Sequence, residues 1–232
     1  MITQAAPRVA PPARAVRSTW VPFALIALVL LPAVFGSLRL VGLAGGPELM
    51  PADPRFTASP VPLVVHIVCA LTYAVVGAFQ FSAALRRRRP GWHRKAGRIA
   101  VVSGLAVALS ALWMNQFNPG QPGTGDLTYL FRLAFGMGML TCLLLGFIAI
   151  RGGDITHHRA WMTRAYALAL GAGTQVFTQG IGPAVFGTSD LTVDLSLGAG
   201  WVINLAVAEY VIRRAARRSP KRAGAVTGKV GS

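Results

Sequence analysis

Apolar and polar residues fall along this chain in blocks rather than in the short periods of a soluble amphipathic fold. Trp20 to about Leu43 is apolar, and so are Val61 to Leu85, Ile99 to Phe117, Thr128 to Ile150, Met162 to Val185 and Leu195 to Ile212. Each run approaches or exceeds the roughly 20 residues that a helix needs to cross a hydrocarbon core of about 30 Å. The pattern therefore predicts an all-α, polytopic integral membrane protein of six transmembrane helices over residues 20–212. The first run exceeds the h-region of about 7–15 residues in a secretory signal, so it is expected to stay as a helix, kinked at Pro32. Arg39 near its outer end is expected to snorkel to the headgroups. Residues 1–19, rich in Ala, Pro and Arg, read as a disordered cytoplasmic tail, and residues 213–232 as a basic cytoplasmic tail.

Composition agrees: 53% of the residues are hydrophobic and 13% charged, against about 25% charged in soluble domains. A net charge of +16 would suggest nucleic acid in a soluble protein, but the placement of the cations changes that reading. The stretch Leu85 to Arg98 carries seven cations and His93 between two apolar runs. Such a segment cannot enter hydrocarbon and reads as a cytoplasmic loop. With it, both tails and Arg151, Arg159 and Arg164 put 20 of the 23 Lys and Arg on one side. The opposite loops hold Arg55 among Glu48, Asp53, Asp126, Asp190 and Asp194. This asymmetry predicts an N-in, C-in topology and affinity for anionic lipid headgroups, with no nucleic-acid partner. Cys69 and Cys142 lie inside apolar runs and form no CxxC motif, so they read as buried free thiols.

Candidate chemistry sits at two depths. On the second apolar run His66, Tyr73, Gly77 and Gln80 share one face, and a polar face on a spanning helix points into the bundle. It serves either helix–helix hydrogen bonding or a ligand. Arg132 lies one turn inside the outer end of the fourth run. It either snorkels outward or joins His66, Asn115, Gln116, Gln175 and Gln179 in an outward-facing ligand pocket. At the inner side His93, His157, His158, Arg159 and Arg164 gather with Gln80 and Glu209 at matching depth. Arg164 is expected to point inward toward Gln80 and His93, paired with a lipid phosphate, Glu209 or a ligand carboxylate, and Arg159 outward to headgroups. Glu209 and Arg213, four apart, are placed for an ion pair at a helix end.

A b-type haem needs two axial nitrogens on opposite faces of its ring. His93 and His158 are the candidate pair, since only His66 lies within a span. No metal-ligand set is present, because adjacent histidines chelate zinc poorly and no cysteine assists them. No nucleophile elbow supports hydrolytic catalysis, and no catalytic residue or reaction is assigned.

The segments GWHRKAGR and HHRAWMTRAYAL, together with His66, Gly77 and Gln80, resemble a bacterial family of predicted membrane proteins, domain of unknown function 2306. The matching features are His93-Arg94…Gly97 and His158…Trp161-Met162…Arg164, over roughly residues 60–185. The resemblance implies a multi-helix protein of the bacterial inner membrane and carries no reaction or substrate. Three functions follow as expectations: binding or moving a small molecule or lipid; haem-linked membrane redox chemistry; or a structural role, as a homo-oligomer or beside a partner membrane subunit.

Overall fold

The computed structural model describes residues 20–56 and 59–217; the disordered tail expected over 1–19 lies outside them, as does the basic tail expected over 213–232 from residue 218 on, whereas 213–217 continue the last helix. The described residues form helices only: α1 Val21–Leu28, α2 Leu30–Leu43, a 3-10 turn Pro54–Phe56, α3 Val61–Gln80, α4 Ala83–Arg88, α5 Pro90–Phe117, α6 Asp126–Arg151, α7 Ile155–Ala169, α8 Gly171–Phe186 and α9 Asp190–Arg217. Among them α3, α5, α6 and α9 are each long and apolar enough to cross a membrane. A fifth such span arises if α1 and α2, bent by 51° at Val29, are taken together.

Four boundaries differ from the sequence reading, each for a physical reason. The cationic stretch is not a loop. Ser82 caps α4 by accepting from Leu85 N at 3.3 Å, and Pro90 opens α5, a position where its missing N–H costs nothing. Hydropathy marks where a helix leaves the hydrocarbon; the hydrogen-bonded helix runs on into water with its charges. The same applies to α7, which starts at Ile155 and so places His158 on the helix. The fifth apolar run is not continuous either, since it divides at Leu170 into α7 and α8. Lastly, the acidic stretch before Leu195 belongs to α9 from Asp190 onward.

The first run breaks at Val29, three residues ahead of Pro32. Proline has no N–H to give to the carbonyl four residues back, and its ring crowds that carbonyl. The carbonyl is that of Leu28, and it faces Gly173 on α8, where a Cβ would collide with it. The bend thus seats α1–α2 against the start of α8.

From α3 onward the helices pack in sequence order: α3 along α5, α5 on α6, α6 on α7, and α7 and α8 on α9. Short connections enforce this. Gly153, at φ 78°, ends α6 in a Schellman turn, with Asp154 N bonded to Ala149 O at 2.9 Å and Gly153 N to Ile150 O at 3.2 Å. Asp154 then caps α7, accepting from His157 N at 3.0 Å and bonding His157 Nδ1 at 2.6 Å. That partner holds the Asp154 carboxyl below its ordinary range.

The core alternates rings with small residues. Tyr166 of α7 lies between Tyr73 and Phe81, at centroid distances of 5.6 and 5.0 Å. Its hydroxyl donates to Ala74 O at 2.7 Å. The ring rests on Gly77, where a Cβ would stand 2.5 Å from its Cε2, and Tyr73 rests on Gly104 at 2.8 Å. Gly77→Ala is therefore expected to destabilise the bundle. Alanine's helix propensity favours it by about 1 kcal/mol, but overpacking against a ring pinned at both ends costs roughly 1–3 kcal/mol. Thermal unfolding of the detergent-solubilised protein should show a lowered Tm for Gly77→Ala.

Candidate functional site

The outer residues do not converge on one cavity. His66 Nδ1 donates across to α5, 3.2 Å from Val107 O and 3.1 Å from Ser110 Oγ. Asn115 donates to Tyr129 O at 3.2 Å, and Gln116 accepts from the Tyr129 hydroxyl at 3.0 Å. Arg132 is half-buried and donates to Gln121 Oε1 at 2.9 Å, within electrostatic range of Asp194 and Arg55. Gln175 turns to α9, donating to Leu197 O at 3.0 Å, and Gln179 has no hydrogen bond to the described residues. So Asn115, Gln116 and Arg132 share the α5–α6 end, while His66 and Gln175 each link a different helix pair. A cavity of about 200 Å3 lies elsewhere, between Arg39, Asp53, Phe56 and Leu63. Arg39, read as snorkelling, instead donates to Pro51 O at 2.8 Å and ties down the covering loop.

Two anchors at this end escaped sequence reading. Asp53 is held by Arg55 at 2.6 and 2.9 Å, which lowers its carboxyl pKa. Asp194 is buried on α9, and its Oδ1 accepts from Gly125 N at 3.0 Å and Thr128 Oγ1 at 2.5 Å. The only sequence signal for the second was a Gly-x-x-Thr opening to α6 with no side-chain cap of its own.

At the end that carries the cationic stretch, the structure does bring residues together. Arg86 of α4 reaches back to donate to Gln80 O at 3.4 Å. Its guanidinium lies in electrostatic range of Arg159 and Arg87, and burial together with these like charges lowers its pKa. His93, on the first turn of α5, lies in range of Arg86 and His158. His158 Nδ1 donates to Gly146 O on α6 at 2.8 Å, which fixes the ring and leaves Nε2 as its other face. Gln80 lies beside α5, its Oε1 3.6 Å from where a Gly97 Cβ would be. Its Nε2 is buried with no hydrogen-bond partner among the described residues. None of Arg86, Arg159, His93 and His158 is in an ion pair with a described carboxylate.

Arg164 has a different setting from the one expected. It turns to α9, not toward Gln80 and His93. Its Nε is 2.5 Å from Glu209 Oε1 and its Nη2 3.2 Å from Oε2, and the guanidinium stacks 4.7 Å above the Trp161 ring. Glu209 was among the partners foreseen. The Glu209–Arg213 pair is the weaker one, at 3.9 Å. Because α7 starts before His158, His158 and Arg164 sit on different sides of it and serve different neighbours.

The comparisons with known proteins follow this geometry closely in extent. A family model described as Predicted membrane protein (DUF2306) matches residues 63–212, from the start of α3 to near the end of α9. The chain belongs to this family. No curated protein and no solved structure gives a match. The family's stretch contains α3 to α8 and most of α9, hence all of the inner cluster, and leaves out α1 and α2. The chain is thus an integral membrane protein of several apolar helices, and its inner cluster lies in the part that the family defines.

Proposed function

We propose that this DUF2306 protein is a six-span, N-in/C-in bundle of the bacterial inner membrane that binds an anionic small molecule or lipid headgroup at its cytoplasmic end. Four helices, and α1–α2 taken together as a fifth span, are long and apolar enough to cross; the sixth span of this reading is α7–α8, which follow one another directly at Leu170. The charge asymmetry orients them. One observation carries the binding reading: half-buried Arg86, His93 and His158 lie with the exposed Arg159 at one end of the bundle, within electrostatic reach of one another, and none is in an ion pair with a described carboxylate. Like charges in a partly desolvated place repel, and an anion set between them turns that cost into attraction. Near a membrane surface each basic residue contributes about 1 kcal/mol toward an anionic headgroup.

The orientation is tested by reporter fusions. Alkaline phosphatase fused after residue 90 is expected to be inactive, and after residue 122 active; the reverse pattern overturns the topology. The binding reading is tested by titrating the solubilised full chain with an anionic amphiphile at low and high salt. Wild type should bind more tightly than Arg86→Gln, by about tenfold, and lose affinity as salt rises. Equal binding by both proteins removes the site.

A second reading has its own support. His158 donates Nδ1–H to a backbone carbonyl, the arrangement that orients a histidine to ligate through Nε2. With His93 it would hold a haem iron, while Arg86 and Arg159 would face the propionates. Absorbance of protein from haem-replete cells, as isolated and after dithionite, discriminates: a Soret band supports this reading, and its absence removes it.

A further inference from the structure

We infer that the inner site is built for a phosphomonoester, with Gln80 as a neutral donor at its deep end. This rests on the anion-binding reading above and adds the ligand's chemical class. The starting observation is the buried Gln80 Nε2, left without a partner. A buried amide N–H that makes no hydrogen bond costs free energy, so native proteins leave few of them. The Gln80 main-chain carbonyl accepts from Arg86, and its side chain lies beside Gly97, one helical turn beyond His93 on the same face of α5. The orphan donor thus belongs to a residue whose main chain meets Arg86 and whose side chain meets α5 one turn from His93.

Every group in this cluster is a donor or becomes one on protonation. Arginine has no acceptor, and the Gln80 amide nitrogen donates only. With Nδ1 committed to Gly146 O, His158 donates toward the site from Nε2 when protonated. The donors come from four helices, α3, α4, α5 and α7, so they are not confined to one plane by a single element. A planar carboxylate offers two oxygens in one plane. A phosphodiester offers two terminal oxygens and one charge. A phosphomonoester offers three oxygens in a tetrahedral array and between one and two negative charges near neutral pH. That matches two permanent guanidinium charges and a third, uncharged donor. The monoester can come from a lipid of the inner leaflet or from a soluble phosphate.

The test uses the full chain in detergent and reads thermal unfolding against added inorganic phosphate, phosphatidic acid, phosphatidylglycerol and laurate. Phosphatidic acid or inorganic phosphate is expected to raise Tm at concentrations about tenfold below those needed for the diester or the carboxylate. A shift with phosphatidic acid alone assigns the lipid as source, and an equal shift with inorganic phosphate assigns a soluble one. Gln80→Leu should keep or raise the ligand-free Tm, because the donor it removes had no partner, yet lose about tenfold in phosphomonoester affinity. Equal responses to monoester, diester and carboxylate, all lost in Arg86→Gln, overturn the phosphomonoester assignment and leave the anion site standing. Wild-type affinity in Gln80→Leu overturns the role of Gln80. No response to any of the four anions overturns both this inference and the reading beneath it.

Discussion

Asp194→Ala is expected to lower the stability of the solubilised protein by about 3–4 kcal/mol, the largest effect of any single substitution considered. The reason lies at the start of α6. A helix begins with N–H groups that have no partner within it. Its own N-cap residue is Gly125, which has no side chain to supply one. The acceptor comes from another helix. Asp194 of α9 is 2% exposed and takes both Gly125 N–H and the Thr128 hydroxyl, itself on a residue 2% exposed. Alanine would leave one buried and one partly buried donor unpaired, at about 1–3 kcal/mol for a buried one and less for the other, and a small void. It would also remove a negative charge from the positive end of the α6 dipole. Asp194→Asn keeps a carbonyl acceptor in the same place and should recover at least half of the loss. Thermal or chemical unfolding of the two variants decides the point. An alanine variant within about 0.5 kcal/mol of wild type, the range of ordinary surface substitutions, would show that the capping geometry carries no weight.

The second large effect is at Arg164 and Glu209. The pair is bidentate and stacked on Trp161, and it joins α7, which carries His158, to α9. The side chains are 24% and 34% exposed, so water screens them and a fully buried pair is the wrong yardstick. Glu209→Ala should cost about 1–2 kcal/mol. Arg164→Lys keeps the charge but loses the planar fork and much of the stacking, and should cost about 1 kcal/mol. Arg164→Ala with Glu209→Ala should cost less than the two single changes added together, with a coupling of about 1 kcal/mol. Strict additivity would mean that the two groups are neighbours without a net interaction. The change should reach the inner site as well, since a loosened α7 no longer fixes His158. Glu209→Ala is expected to weaken anion binding although Glu209 lies outside the cluster.

Much of this was legible in the sequence, and the misses have causes. Long apolar runs located α3, α6 and the centres of α5 and α9. They could not locate helix ends, because Pro90, Ser82 and Asp154 set those by backbone hydrogen bonding, which hydropathy does not register. Pro32 was read as a kink, yet the break at Val29 depends on the Leu28 carbonyl finding Gly173, a contact far apart in sequence. His66, Tyr73 and Gly77 face protein, as their shared face on α3 implied. Which neighbour each polar residue chose was not legible. His66, Asn115 and Gln175 each met a carbonyl on an adjacent helix before they could meet one another. Arg86 was hidden in a run of four arginines. Only the fold separates it from Arg87, Arg88 and Arg89 by its bond to Gln80 O and its place near Arg159.

The measurement closest to the central claim is native mass spectrometry of the full chain, extracted gently from its membrane and then stripped stepwise of lipid. The comparison is between wild type and Arg86→Gln/Arg159→Gln. The account predicts that wild type retains one anionic species after neutral lipid has been removed, and that the double variant releases it together with the neutral lipid. Equal retention by both proteins, or loss of all bound anions from both at the first step, would contradict an anion site at the cytoplasmic end.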